Sequence, residues 1–188
     1  CEASTDVTIN FTLEISADAG ADLSLCEDAL PFSVLGSGLN VDQFMWRDLD
    51  GNELSDNEIL IISETPGLYS YVFVGSNGLC EALDTLNVEV FVSPVADAGP
   101  DQEVFAEETF TLGGNPTSNV ESTYSWSPNP TSSLDTSSPN PSGYLFESTE
   151  FVVVVTDQNG CSGADTVFVN VLPDINVTSG FTPNNDGI

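Results

Sequence analysis

The chain contains no histidine, and Arg47 is its single basic residue against 30 acidic ones, a net charge of −29 over 188 residues. Without histidine, imidazole acid–base chemistry, the Ser-His-Asp and Cys-His constellations and most zinc sites are excluded. A single cation cannot neutralise a phosphate backbone, so nucleic acid is not expected as a partner. The same charge repels anionic membrane surfaces, and no run of 18 apolar residues exists, so membrane insertion is not expected. Sustained helical periodicity is also missing. A surface this acidic stays soluble and extended in a salty, divalent-rich exterior, where counterions screen its self-repulsion.

What is present reads as strand. Val, Thr, Phe and Ile sit in short runs separated by Gly, Pro, Asn and Asp clusters, and the 40% hydrophobic content suffices for packed cores. Two long segments repeat. Ala17-Asp-Ala-Gly-Ala-Asp22 matches Ala96-Asp-Ala-Gly-Pro-Asp101, Trp46 matches Trp126, and Asn77-Gly-Leu-Cys80 matches Asn159-Gly-Cys161. The offsets are 97 − 18 = 79, 126 − 46 = 80 and 161 − 80 = 81 residues, one period across three anchors, which indicates duplicated domains. Cys1-Glu-Ala likewise parallels Cys80-Glu-Ala. Residues 1–15 are therefore expected to be the last strand of a preceding repeat or, alternatively, a donor strand that completes a sandwich in a neighbouring subunit. The expected domains are residues 16–94 and 95–173.

Within the first repeat, strands are expected over 21–25, 30–34, 42–47, 59–62, 67–74 and 83–92, with a turn at Asp48-Leu-Asp-Gly-Asn52. Short strands at this spacing predict an all-β fold of tandem immunoglobulin-like β-sandwich domains. Trp46 falls where such domains bury a Trp. Tyr69 stands at the tyrosine corner, with Tyr71 two residues on, and Phe151 and Val153 are expected at those places in the second repeat. Both Trp side chains are expected in cores; exposed, they would be platforms for stacking a surface polysaccharide.

Of the four cysteines, Cys26 and Cys80 share a repeat and are expected to form a disulfide, which points to an oxidising, extracytoplasmic setting. Phe105 stands where the second repeat would carry its counterpart of Cys26. That leaves Cys1 and Cys161 as free thiols or as an intermolecular pair.

Acid clusters invite a calcium reading. Asp48, Asp50, Asn52, Glu53 and Asp56 put several oxygen ligands in one turn, although position 12 counted from Asp48 is Ile59 rather than the Glu of an EF-hand. Asp18, Asp22, Asp97 and Asp101 flank the domain junctions and are a second candidate for Ca²⁺. The alternative for all of them is a solvated turn. Catalysis by paired carboxylates is not expected, because these acids lie in turns without a pocket to raise one pKa.

The phrases Ala98-Gly-Pro-Asp-Gln102, Tyr124-Ser-Trp-Ser-Pro128 and Val155-Thr-Asp-Gln-Asn-Gly-Cys161 resemble the Ig-like and PKD-like repeats of very large Bacteroidota surface proteins. Residues 174–188, ending Gly180-Phe-Thr-Pro-Asn-Asn-Asp-Gly-Ile188, resemble the start of a gliding-motility-associated C-terminal domain, a type B sorting signal of type IX secretion, departing from its usual pattern at Asn185. The resemblance implies export and display on the cell surface or in extracellular filaments, as adhesin, filament or stalk. It also implies O-glycosylation at Asp-Thr-aliphatic triplets, here at Thr85 and Thr166. The function expected is a non-enzymatic spacer whose partners are neighbouring repeats or identical subunits. Its alternatives are a carbohydrate-binding module and a self-assembling fibre subunit.

Overall fold

A computed structural model describes residues 14–130 and 134–173, and the chain divides into two compact units, Cys1–Val92 and Ser93–Ile188. The donor-strand reading of residues 1–15 and the sorting-signal reading of 174–188 fall almost wholly outside the described residues.

The first unit carries nine described strands: β1 (Ser16–Asp18), β2 (Leu23–Cys26), β3 (Phe32–Leu35), β4 (Ser37–Leu39), β5 (Gln43–Arg47), β6 (Glu53–Ser55), β7 (Ile59–Ile62), β8 (Gly67–Ser76) and β9 (Glu81–Phe91). A five-stranded sheet in the order β2-β9-β8-β5-β6 faces the pair β3-β7, and β1 pairs with β4. Alternation decides which side chains meet. Tyr71 and Phe73 of β8 and Leu86, Val88 and Val90 of β9 point inward with Trp46, and Val34, Leu60 and Ile62 close over them from the other sheet. On β7 the same period leaves Ile59 and Ile61 outside. Each side chain buried this way contributes about 1.5–3 kcal/mol. The indole of Trp46 lies 4.8 Å from the Phe73 ring, centroid to centroid. Gly36, just after β3, passes so close to that ring that a Cβ there would lie 2.6 Å from its carbons, so only glycine fits.

The second unit has six: β10 (Gln102–Phe105), β11 (Thr109–Thr111), β12 (Ser122–Ser127), β13 (Ser142–Tyr144), β14 (Thr149–Asp157) and β15 (Ser162–Leu172). Its sheets are β10-β15-β14-β12 and β11-β13. Trp126, Phe151, Val153, Val155, Val167 and Val169 pack against Phe110, Leu112, Leu134 and Leu145. Both units are immunoglobulin-like β-sandwiches in tandem, as the strand spacing predicts. In each, the strand after the entry segment runs parallel to the last strand: β2 beside β9, and β10 beside β15.

Register corrects one expectation. Trp46 faces Phe73 across β5–β8, and Trp126 faces Val153 across β12–β14. Tyr71 faces Leu86, and Phe151 faces Val167. Phe151 and Val153 are therefore the counterparts of Tyr71 and Phe73, two residues further along than expected. The corner position in the second unit is Thr149, which faces Val169 as Tyr69 faces Val88. A two-residue slip preserves the inward face, so the hydrophobic pattern alone does not detect it.

Candidate functional site

The repeated Ala-Asp-Ala-Gly-x-Asp motif assembles a hydrogen-bonded clasp at the entry of each sandwich. In the first unit the Asp18 carboxylate accepts from the Gly20 amide at 2.9 Å, with Gly20 at φ +87°. That positive φ is cheap only for glycine. The turn aims the Ala19 amide at Asp84 of β9, whose Oδ2 accepts it at 2.8 Å. The Asp22 carboxylate then accepts from the Asn87 backbone amide at 2.9 Å and from its side-chain Nδ2 at 3.2 Å. The second unit repeats the three backbone-amide bonds, with Phe168 in the place of Asn87. Asp97 accepts from Gly99 at 2.9 Å with φ +83°, Asp165 from Ala98 at 2.8 Å, and Asp101 from Phe168 at 2.8 Å. Ala19 and Ala98 are fully buried, so an unanswered amide at either would cost about 1–3 kcal/mol.

The clasp explains the carboxylates that looked like junction calcium ligands: Asp18, Asp22, Asp97 and Asp101 each accept a backbone amide of their own unit. Asn87 holds the Asp22 carboxyl below the usual range, its backbone amide first and its side chain second. Sequence reasoning passed over Asp84 and Asp165 as clasp residues. The available signal was an Asp at the same offset inside two strands, where Asp is disfavoured.

The other calcium candidate is a turn closed on itself. Asp48 accepts from the Asn52 amide at 2.8 Å and from its side-chain Nδ2 at 2.7 Å, while its own amide donates to the Asn52 carbonyl at 3.0 Å. The Asn52 side chain first and its amide second pull the Asp48 carboxyl below its ordinary range. Asp50, Asn52, Glu53 and Asp56 are exposed around it. Among the described residues, no group of three or more His, Cys, Asp or Glu side chains gathers so as to hold a metal ion.

Trp46 and Trp126 lie in the cores, 0% and 3% exposed, and are not platforms for a sugar. Each indole N–H donates to a backbone carbonyl twelve residues on, Trp46 to Glu58 and Trp126 to Ser138, both at 3.0 Å. The Tyr69 hydroxyl donates to the Thr65 carbonyl at 2.7 Å, the bond expected of a tyrosine corner. Tyr71 is buried, with its hydroxyl toward Glu64 at 3.4 Å; burial first and the Glu64 carboxylate second push its ionisation well above the usual range. Thr85 and Thr166, next to the clasp aspartates, are both exposed.

The cysteines overturn one expectation. Cys80 is a free, exposed thiol, whereas Cys26 is disulfide-bonded, so the two are not joined to each other. The reason is geometric: Cys26 lies opposite Phe91 at one end of β9, and Cys80 precedes Glu81 at the other. Ten residues of strand separate those ends by about 33 Å, against the roughly 7 Å Cα limit for a disulfide. Of the two states expected for Cys161, a free thiol or one half of a disulfide, it is in the second. Among the described residues, no helix is long and apolar enough to cross a membrane.

No protein-family model matches the chain, and no curated protein matches it. Among solved structures, it is similar to Drosophila OTK extracellular domains 3–5, with 16% identity, a TM-score of 0.45, and coverage of 81% of this chain and 60% of that one. It is similar to Sidekick-1 immunoglobulin domains 1–4, with 16% identity, a TM-score of 0.40, and coverage of 87% and 51%. A chimeric titin Z1Z2-Z1Z2 tandem shares 13% identity at a TM-score of 0.39, covering 87% of this chain and 99% of that one.

Proposed function

We propose that this chain is a load-bearing spacer of a secreted surface adhesin or extracellular filament, and that it acts mechanically rather than as an enzyme. The observation that carries the reading is the parallel pairing of first-sheet strand and last strand, clasped by aspartates, in both units. The chain enters the first unit beside Asp84 and leaves it beyond Phe91, with β2 and β9 running the same way between. Tension on entry and exit therefore pulls β2 and β9 past each other. The ladder hydrogen bonds and the two aspartate bonds are then loaded together in shear instead of being unzipped one at a time.

The acidic surface supports the same reading by keeping a chain of such units extended and soluble. Disulfides form and persist in oxidising compartments, which supports an extracytoplasmic location. Within this reading Thr85 and Thr166 are O-glycosylation positions, matched in both repeats and exposed. Neighbouring repeats or identical subunits are the partners, and Ca²⁺ is a counterion of the acidic surface.

Force spectroscopy on the reduced chain, tethered at its two termini, tests the proposal. Two unfolding events are expected, each releasing about 280 Å of extended chain for roughly 80 residues. Tethers placed at Ser55 and Ser70 pull across the sheet instead and should open the first unit at clearly lower force. Equal forces in the two directions would refute a mechanical role for the parallel pair.

A further inference from the structure

The two hairpin turns that carry Cys80 and Cys161 correspond in place, the second one residue longer, and hold their cysteines in two chemical states. In the first unit the Asn77 amide donates to the Cys80 carbonyl at 3.3 Å, and the Asn77 side-chain oxygen accepts the Cys80 amide at 2.9 Å. In the second the Asp157 amide donates to the Cys161 carbonyl at 2.9 Å, and its carboxylate accepts the Cys161 amide at 2.9 Å. Each cysteine thus sits at the same place, just before its unit's last strand. Cys161 is disulfide-bonded and 1% exposed; Cys80 is free and exposed. Residues 93–188 contain Cys161 as their single cysteine.

A sandwich of this kind therefore has two cysteine positions at opposite ends. One is the turn before the last strand, near where the chain enters. The other is the end of β2, near where the chain leaves, and there Cys26 is oxidised. Beside Cys80 stands Leu79, at 89% the most exposed large apolar side chain among the described residues. A free, exposed thiol and an uncovered leucine share one turn at the entry end.

We propose that Cys80 is the attachment point for a head-to-tail disulfide. Its partner is the cysteine at the Cys26 position of a sandwich of the same kind that precedes this one, and that neighbour covers Leu79. The inference rests on the tandem-spacer reading. The bond forms by thiol–disulfide exchange with a small disulfide such as oxidised glutathione. One thiolate attacks it, forming a mixed disulfide and releasing one glutathione. The second thiolate then attacks the protein sulfur of that mixed disulfide and releases the other. Two thiols are oxidised and one glutathione disulfide is reduced to two glutathiones.

The test is the full chain preceded by a second copy of residues 16–79, so that residues 1–15 supply that copy's last strand, with C1S at the place of its Cys80, refolded in a glutathione redox buffer. Mass mapping of disulfides should show Cys26 of the leading copy joined to Cys80 of the following one, with no sulfur left open to alkylation between them. C26S in the leading copy should return Cys80 to full alkylation. A second variant does not depend on the added repeat folding. F105C in the chain itself places a thiol at the vacant β2-type position of the second unit, where Phe105 is 54% exposed. Oxidised copies should link position 105 to Cys80 at least tenfold more than 80 to 80. Alkylatable Cys80 in the tandem, or statistical pairing in the variant, would overturn the proposal. Either could occur while the force measurement still succeeded, so failure here is separable from failure of the spacer reading.

Discussion

The two units share the three backbone bonds of their clasp and differ in what fills the middle of the sandwich. The first packs Trp46 against Phe73 and buries Tyr71; the second packs Trp126 against Val153 and buries Phe151 at the same registers. Aromatic volume has moved along the inner face: Phe110 and Phe151 meet at 5.7 Å in the second unit, where the first uses Val34 opposite Tyr71 and Phe73. Cores accept such exchanges when total volume is preserved. The clasp does not, because it answers particular buried amides with particular carboxylates. What is shared between the units is thus the hydrogen bonding that ties entry to exit, and what varies is the filling.

That contrast can be broken unit by unit, because each unit holds a single Trp as its own fluorescent reporter. The largest effect is expected from Phe73→Ala, which empties the space beside Trp46. The first unit should lose about 3–5 kcal/mol in denaturant unfolding followed at Trp46, while the Trp126 transition stays in place. A joint shift of both transitions would show that the units do not unfold separately.

Smaller, but equal in the two units, are the effects of removing a clasp aspartate. Asp84→Ala and Asp165→Ala should each cost about 1–3 kcal/mol, each in its own unit, because each leaves a buried alanine amide unanswered. Asp84→Asn retains an acceptor oxygen and should lose less. If the two alanine variants differed severalfold, the clasps would not be energetically equivalent despite their matching geometry.

The smallest effect is one of pH and should be confined to the first unit. Buried Tyr71 ionises in the folded state only well above its unfolded value of about 10. Stability from that group is fully present below pH 10 and is lost as pH rises further, since the unfolded state sheds the proton first. Melting in alkaline buffers should therefore lower the Trp46 transition more than the Trp126 transition, whose counterpart residue is Phe151. Tyr71→Phe should remove most of the difference; an unchanged difference would place its origin elsewhere.

Much of this fold was legible in the chain. Strands expected over 42–47 and 59–62 coincide with β5 and β7 to within a residue, because their apolar runs are bounded by turn residues. Trp46 and Tyr69 took the places the spacing assigned them. The short strands β1, β4 and β6 were not foreseen, since three residues carry no readable period. The clasp was half visible: the motif's repetition marked it, but the amides it answers lie 65 and 67 residues away.

The sequence by itself determined the class of the protein. Period-two alternation requires strands with one buried face, and an 80-residue repeat requires two sandwiches. Only the tertiary structure decided the rest. Cys26 and Cys80 belong to one repeat yet lie beside opposite ends of an eleven-residue strand, and the aspartates that looked like metal ligands face backbone amides. Pairing of groups far apart in the chain depends on strand order and register, which no local pattern encodes.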